Sequence, residues 1–205
     1  MIMTCQLKFK ITGAVGLAIL LSSALLERTY AEDSTDGEPA LSSYVLPDTQ
    51  VFDKVARNGE AYRIFVSVPL SDPPLGGFPV LYVLDGNAMF GSFAETRRLL
   101  SAEEGELDKI VIVGIGYPTN DLYDGRRMRD FTPSIKNPIL KMLYSGYESG
   151  GRDDFLNFLL EELRPEMIKT YRINPYRQSL YGHSLGGLFA LHVLYSHPQE
   201  FHSII

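Results

Sequence analysis

Ser184 stands in the run Gly182-His183-Ser184-Leu185-Gly186-Gly187, a G-x-S-x-G frame followed by one further glycine. A serine framed in this way sits on a strained turn between a strand and a helix, with its hydroxyl pushed up for attack on a carbonyl. The chemistry is nucleophilic acyl transfer through an acyl-enzyme. The frame alone is moderate evidence, because roughly one chain in ten of this length holds one by chance. Its flanks supply the context. Arg177-Gln178-Ser179-Leu180-Tyr181 is a short run ending in apolar residues, suited to a buried strand. Leu188 to Tyr195 is rich in helix formers and is stopped by Ser196-His197-Pro198. Gly182 and Gly186 are expected to keep Cβ atoms out of the crowded turn, and Gly187 to let the helix lie close to its neighbours.

Such a serine needs a base within about 2.6–3.2 Å. His192, His197 and His202 follow it. At ~1.5 Å of helix rise per residue, His192 lies about 12 Å and His197 about 20 Å along the axis. His202 begins the next strand. His183 precedes the serine on the turn, and its side chain is expected to point away. Glu200, past the far helix end, is a poor third member of a triad. This reading finds neither base nor acid in the chain. It places them beyond Ile205, and takes the chain as the N-terminal portion of a longer domain.

The elements that must position the serine follow from periodicity. Val51 to Arg57 and Ala61 to Val68 alternate around Asn58-Gly59, a hairpin signal. Pro79 to Leu84 and Lys109 to Gly116 are continuous apolar runs, as in strands buried on both faces of a mostly parallel sheet. Met89 to Ala102 reads as the helix between them. Asp153 to Tyr171 reads as another, kinked or split at Pro165. Phe201 to Ile205 starts one more strand. The alternation argues an α/β fold with helices on both faces of a sheet. Tyr117 to Gly150 is read as one long irregular stretch that covers the serine, at the end of a central strand where such sheets bind ligands.

The N-terminus has a different character. Lys8 and Lys10 precede an apolar run from Ile11 to Leu26, followed by Thr29-Tyr30-Ala31 and then Glu32-Asp33. This is the layout of a secretory signal peptide over residues 1–31, with cleavage after Ala31. An uncleaved anchor is one alternative and a buried helix another; the anchor would be the chain's only contact with a membrane. Residues 32–43 read as a linker, and 44–205 as the folded domain. Cys5, the only cysteine, would leave with the signal. The 205 residues suit one domain or most of one, and their 45% hydrophobic content is enough for a core. A net charge of −6 argues against general nucleic-acid binding.

Three segments together carry a family resemblance: Leu84-Asp85-Gly86-Asn87, Arg126-Arg127-Met128-Arg129-Asp130-Phe131-Thr132-Pro133, and the run from Tyr181 to Gly187. They are similar to an esterase branch of the α/β-hydrolases. That branch includes the trilactone siderophore esterases (enterobactin, salmochelin and bacillibactin hydrolases), esterase D-like enzymes and mycolyltransferases. The Arg-x-x-Asp-Phe-Thr-Pro segment favours the siderophore esterases. The resemblance implies an α/β-hydrolase fold: a three-layer α/β/α sandwich with a mostly parallel sheet and an N-terminal antiparallel hairpin, incomplete at the C-terminus.

It also implies roles. Ser184 is the nucleophile, and the N–H groups of Leu185 and Asn87 form the oxyanion hole. Arg127 and Asp85 are candidates for substrate contact. The basic cluster of Arg126, Arg127 and Arg129 would draw an anionic substrate such as a ferric catecholate siderophore. The bland reading of the same cluster is pairing with Asp124 or Asp130. The implied function is an exported, periplasmic or secreted serine esterase acting on a small-molecule ester without metal or cofactor. A catalytically inactive hydrolase fragment and an acyltransferase relative are the alternatives.

Overall fold

At the hairpin signal Asn58-Gly59 the chain turns back on itself. A computed structural model of the protein describes residues 43–101 and 109–205. The expected signal peptide, Cys5 and all but the last residue of the expected linker over 32–43 lie outside them. Strand β1 (Thr49–Val55) pairs antiparallel with β2 (Ala61–Ser67), in a register that sets Val55 opposite Ala61. Gly59 takes φ 89° in the turn, a conformation that glycine adopts without strain.

The apolar runs become β3 (Phe78–Leu84) and β4 (Val111–Gly116), parallel to each other and joined through helix α1 (Gly86–Leu100). Strand β5 (Ile173–Tyr181) and the short β6 (Ser203–Ile204) extend the parallel part. The six strands lie in the order β1-β2-β4-β3-β5-β6. Alternate residues of β3 serve two cores. Val80, Tyr82 and Leu84 join the larger one, and Leu81 and Val83 join a smaller one with Phe90 and Ala94 of α1. Both sheet faces are therefore buried, and the arrangement is the expected three-layer one.

The expected helix over 153–171 is divided more finely than Pro165 alone suggests. It comprises α4 (Arg152–Phe158), a π-helical turn over Leu159–Leu163, and α5 (Arg164–Tyr171). Proline has no N–H to donate back along the helix. The widened turn just before it lets the chain pass the missing bond.

The stretch from Tyr117 to Gly150 is not wholly irregular. It holds α2 (Arg126–Phe131) and α3 (Pro138–Leu143). The Asn137 side chain caps α3 by accepting from the N–H groups of Ile139 and Leu140, with Pro138 in the first turn. Helix α2 has no side-chain cap and is held by its neighbours. Phe131 meets Phe155 of α4 at 5.3 Å between ring centroids. It also meets Phe189 of α6 (Leu185–Ser196) at 5.7 Å. Edge-on and tilted aromatic pairs of this kind contribute about 0.5–1.5 kcal/mol each beyond their buried area. They fix α2 beside the helix that begins at the serine. Among the described residues no helix is long and apolar enough to cross a membrane.

Candidate active site

Strands β3 and β5 are hydrogen-bonded neighbours, with Val83 opposite Tyr181. Each leads into a helix within a few residues: α1 starts at Gly86, and α6 at Leu185. The parallel register therefore delivers two helix N-termini to one place. Residues there have unsatisfied N–H groups that favour negative charge.

Ser184 is the N-cap of α6, with φ 57° and ψ −117°, and its hydroxyl makes no capping bond to the helix. It is solvent-exposed. A serine in this position ordinarily caps, and a non-glycine residue held at such dihedrals costs about 1–3 kcal/mol. The surrounding glycines make the turn sterically feasible. A Cβ on Gly182 would run into the carbonyl of Gly186 and come within 2.9 Å of the Gly187 nitrogen. The roles expected for the other two are exchanged. A Cβ on Gly187 would face back into the turn, 3.1 Å from the Gly182 oxygen, whereas Gly186 is the close-approach residue. A Cβ on Gly186 would stand 3.3 Å from Asp85 Oδ2 and 3.4 Å from Leu84 Cβ. The start of α6 thus packs directly on the end of β3.

Asp85 closes β3 with φ 54° and ψ 47° and is only 3% exposed. It too is an N-cap residue whose side chain makes no capping bond. Its carboxylate is taken by Arg127. Nε donates to Oδ1 at 2.7 Å and Nη2 to Oδ2 at 2.8 Å. Asp85 holds Arg127 firmly in its charged form, the hydrogen bond being the main cause. The guanidinium also lies over the Tyr123 ring at 5.1 Å. Asn87, two residues on, is held by its side chain. Its amide accepts from the Tyr117 N–H at 2.8 Å and donates to the carbonyls of Tyr117 and Thr119, both at 3.0 Å. The Asn87 and Leu185 N–H groups lie in the first turns of α1 and α6. Neither donates to an acceptor among the described residues.

The three arginines of the cluster have separate partners. Arg126 forms a forked pair with Asp124 at 2.9 Å. Arg129 binds Asp130 at 2.7 Å and Glu60 at 2.6 Å, tying α2 to the first hairpin. Asp130 is 1% exposed and also accepts from the Tyr117 hydroxyl at 2.9 Å. The bland reading describes Arg126 and Arg129. It does not describe Arg127, whose partner lies far back in the sequence at Asp85.

Two hollows border the start of α6. One, of about 270 Å³, is lined by Tyr123, Arg127, Met128, Tyr144, Tyr147 and Leu185. The other, of about 500 Å³, lies between α6 and β6 and is lined by Ser184, Leu188, Leu191, Leu194 and Ile205.

His192 Nε2 lies 3.6 Å from Asp153 Oδ1 and 3.3 Å from Ser196 Oγ. Burial, aided by Arg152, holds its pKa below the ordinary value. His197 Nδ1 contacts Ser196 Oγ at 2.8 Å. His183 and His202 are exposed. Among the described residues, none hydrogen-bonds Ser184.

Residues 56–205 match the family described as "Putative esterase". The ferri-bacillibactin esterase BesA of Bacillus subtilis (strain 168) is 38% identical over 179 residues. That alignment takes in 84% of this chain and 62% of the relative. A siderophore triacetylfusarinine C esterase of Aspergillus fumigatus is 38% identical over 164 residues, 76% of this chain and 53% of that protein. The chain therefore spans less than two thirds of the length of these relatives. The crystal structure of the BES protein from Bacillus cereus superposes with a TM-score of 0.73 at 32% identity, covering 81% of this chain and 65% of that one. The mixed sheet and its flanking helices are those of the α/β-hydrolase fold.

Proposed function

The chain belongs to the esterase family matched over residues 56–205, and from that premise we propose that it carries the nucleophile half of a serine esterase acting on siderophore esters. The observation that carries the proposal is the strained Ser184 with its hydroxyl withheld from the helix it begins. In this reading the Ser184 oxygen adds to the ester carbonyl. The developing oxyanion is received by the N–H groups of Leu185 and Asn87, an effect of about 3–4 kcal/mol per donor in comparable sites. The alcohol leaves, and water releases the acyl group from the serine. Proton removal is assigned to a general base that none of the four histidines, His183, His192, His197 and His202, supplies, since none of them bonds Ser184.

The substrate class draws on two supports. The relatives are named as esterases of ferri-bacillibactin and of triacetylfusarinine C. The hollow beside Leu185 presents three tyrosine rings, which suit a bulky or planar acyl group. Export is part of the proposal and rests on residues 1–31; a mature N-terminus at Glu32 would support it. The test of the whole is hydrolysis of a trilactone siderophore, iron-loaded and iron-free, followed by chromatography of the products. In protein that carries this general base, ring opening by the wild type and none by Ser184→Ala is expected. Equal ring opening by both would remove Ser184 from the mechanism.

A further inference from the structure

The Arg127–Asp85 pair has a geometry that substrate attraction does not account for. Both acceptor oxygens of Asp85 are used by the guanidinium fork, and the two side chains are 2% and 13% exposed. A cation matched so closely by a buried carboxylate exerts little pull on an incoming anion. What the fork does is hold the carboxylate in one place. Asp85 is the N-cap of α1, and aspartate there ordinarily turns inward to accept the N–H two residues on. That residue is Asn87. The N–H groups of Ala88 and Met89 already donate to the Asp85 backbone carbonyl, at 2.9 and 3.0 Å. The Asn87 N–H is therefore the first-turn donor that a freed carboxylate would claim.

We infer that Arg127 is a positioning residue: it keeps the Asp85 carboxylate off the start of α1 and so leaves the Asn87 N–H open to receive the oxyanion. This rests on the esterase reading above. Without the fork, Asp85 occupies the donor and sets a negative charge beside the place where another must develop. The effect reaches the serine side as well. Gly186 packs against Asp85 Oδ2 with room for no side chain beyond a tight Cβ. Arg127 comes from α2, Asp85 from the end of β3 and Gly186 from α6, so one ion pair sets the spacing of the two helix starts.

The experiment compares a neutral ester, p-nitrophenyl butyrate, with an anionic one, p-nitrophenyl hemisuccinate, using the intact protein. Arg127→Ala is expected to lower kcat about a hundredfold on both esters, the loss typical of one oxyanion donor, with KM unchanged within about twofold. Arg127→Lys keeps the charge without the fork and is expected to lose at least tenfold, roughly. It carries the test if Arg127→Ala melts too low to assay. The decisive variant is Arg127→Ala combined with Asp85→Gly. Glycine accepts the left-handed conformation at this position and removes the intruding carboxylate. Recovery of about tenfold or more over Arg127→Ala supports the inference. A double variant no faster than the single one overturns it, as does an Arg127→Ala effect confined to KM for the anionic ester. Full activity in Ser184→Ala would instead defeat the esterase reading itself, an outcome that does not involve Arg127.

Discussion

Asp85 and Ser184 follow adjacent parallel strands, and each enters its helix at positive φ, 54° and 57°, without capping it. Two residue types that ordinarily satisfy a helix end are both turned away from it. Each such conformation costs about 1–3 kcal/mol, so the surrounding fold must hold it. Gly182 does so for the serine through its missing side chain, and Arg127 does so for the aspartate through its fork.

The turn at Ser184 has no room for a methyl group at Gly182. Gly182→Ala is expected to force the turn open, because the new Cβ would overlap the Gly186 carbonyl. Overpacking of this kind costs about 1–3 kcal/mol. Urea unfolding followed by circular dichroism measures it; a midpoint unchanged from wild type would contradict the steric account.

Arg129 neutralises a buried carboxylate and also reaches Glu60 in the hairpin. Arg129→Met leaves the Asp130 carboxyl, whose pKa burial already raises, almost wholly enclosed without its cation, a change worth about 3–5 kcal/mol of lost stability. Pairing it with Asp130→Asn is expected to return part of the loss, since the unpaired buried carboxyl is then gone. A double variant as unstable as Arg129→Met would show that Glu60, and not Asp130, is the partner that matters.

His192 gives the fold a pH dependence with a defined sign. Burial, and secondarily Arg152, hold its folded pKa below the ordinary 6.5. Between the two values the unfolded chain binds more protons, so stability rises with pH there. The contribution is complete above 6.5 and is lost as pH falls through the depressed value. Thermal melting at pH 5 and pH 8 is expected to show a smaller difference in His192→Gln than in wild type. An equal difference would place the pH dependence elsewhere.

The strands, the helices on both sheet faces and the serine turn were legible in the sequence because each rests on local pattern. Apolar runs mark β3 and β4, Asn58-Gly59 marks the hairpin, and the glycines mark the elbow. The exchange of roles between Gly186 and Gly187 was not legible. It depends on which of them faces β3, a matter of helix rotation rather than residue type. Helix α3 had a signal in Asn137-Pro138, but six residues are too few to show periodicity. Helix α2 is fixed by ring packing and ion pairs to distant elements. The pairings of Arg126 with Asp124 and Arg129 with Asp130 could be read as neighbours. The pairing of Arg127 with Asp85 could not, because no local rule joins residues on a strand end and on a helix so far along the chain.

The central claim is that Ser184 is a formed nucleophile, and a fluorophosphonate probe tests it most directly. Incubating the folded protein with the probe and sequencing tryptic peptides by mass spectrometry locates the adduct. The account predicts one adduct, on the peptide containing Ser184, abolished in Ser184→Ala and by prior unfolding in urea. Absence of any adduct on Ser184 in the folded protein, or labelling of Ser184→Ala at the wild-type rate, would contradict it.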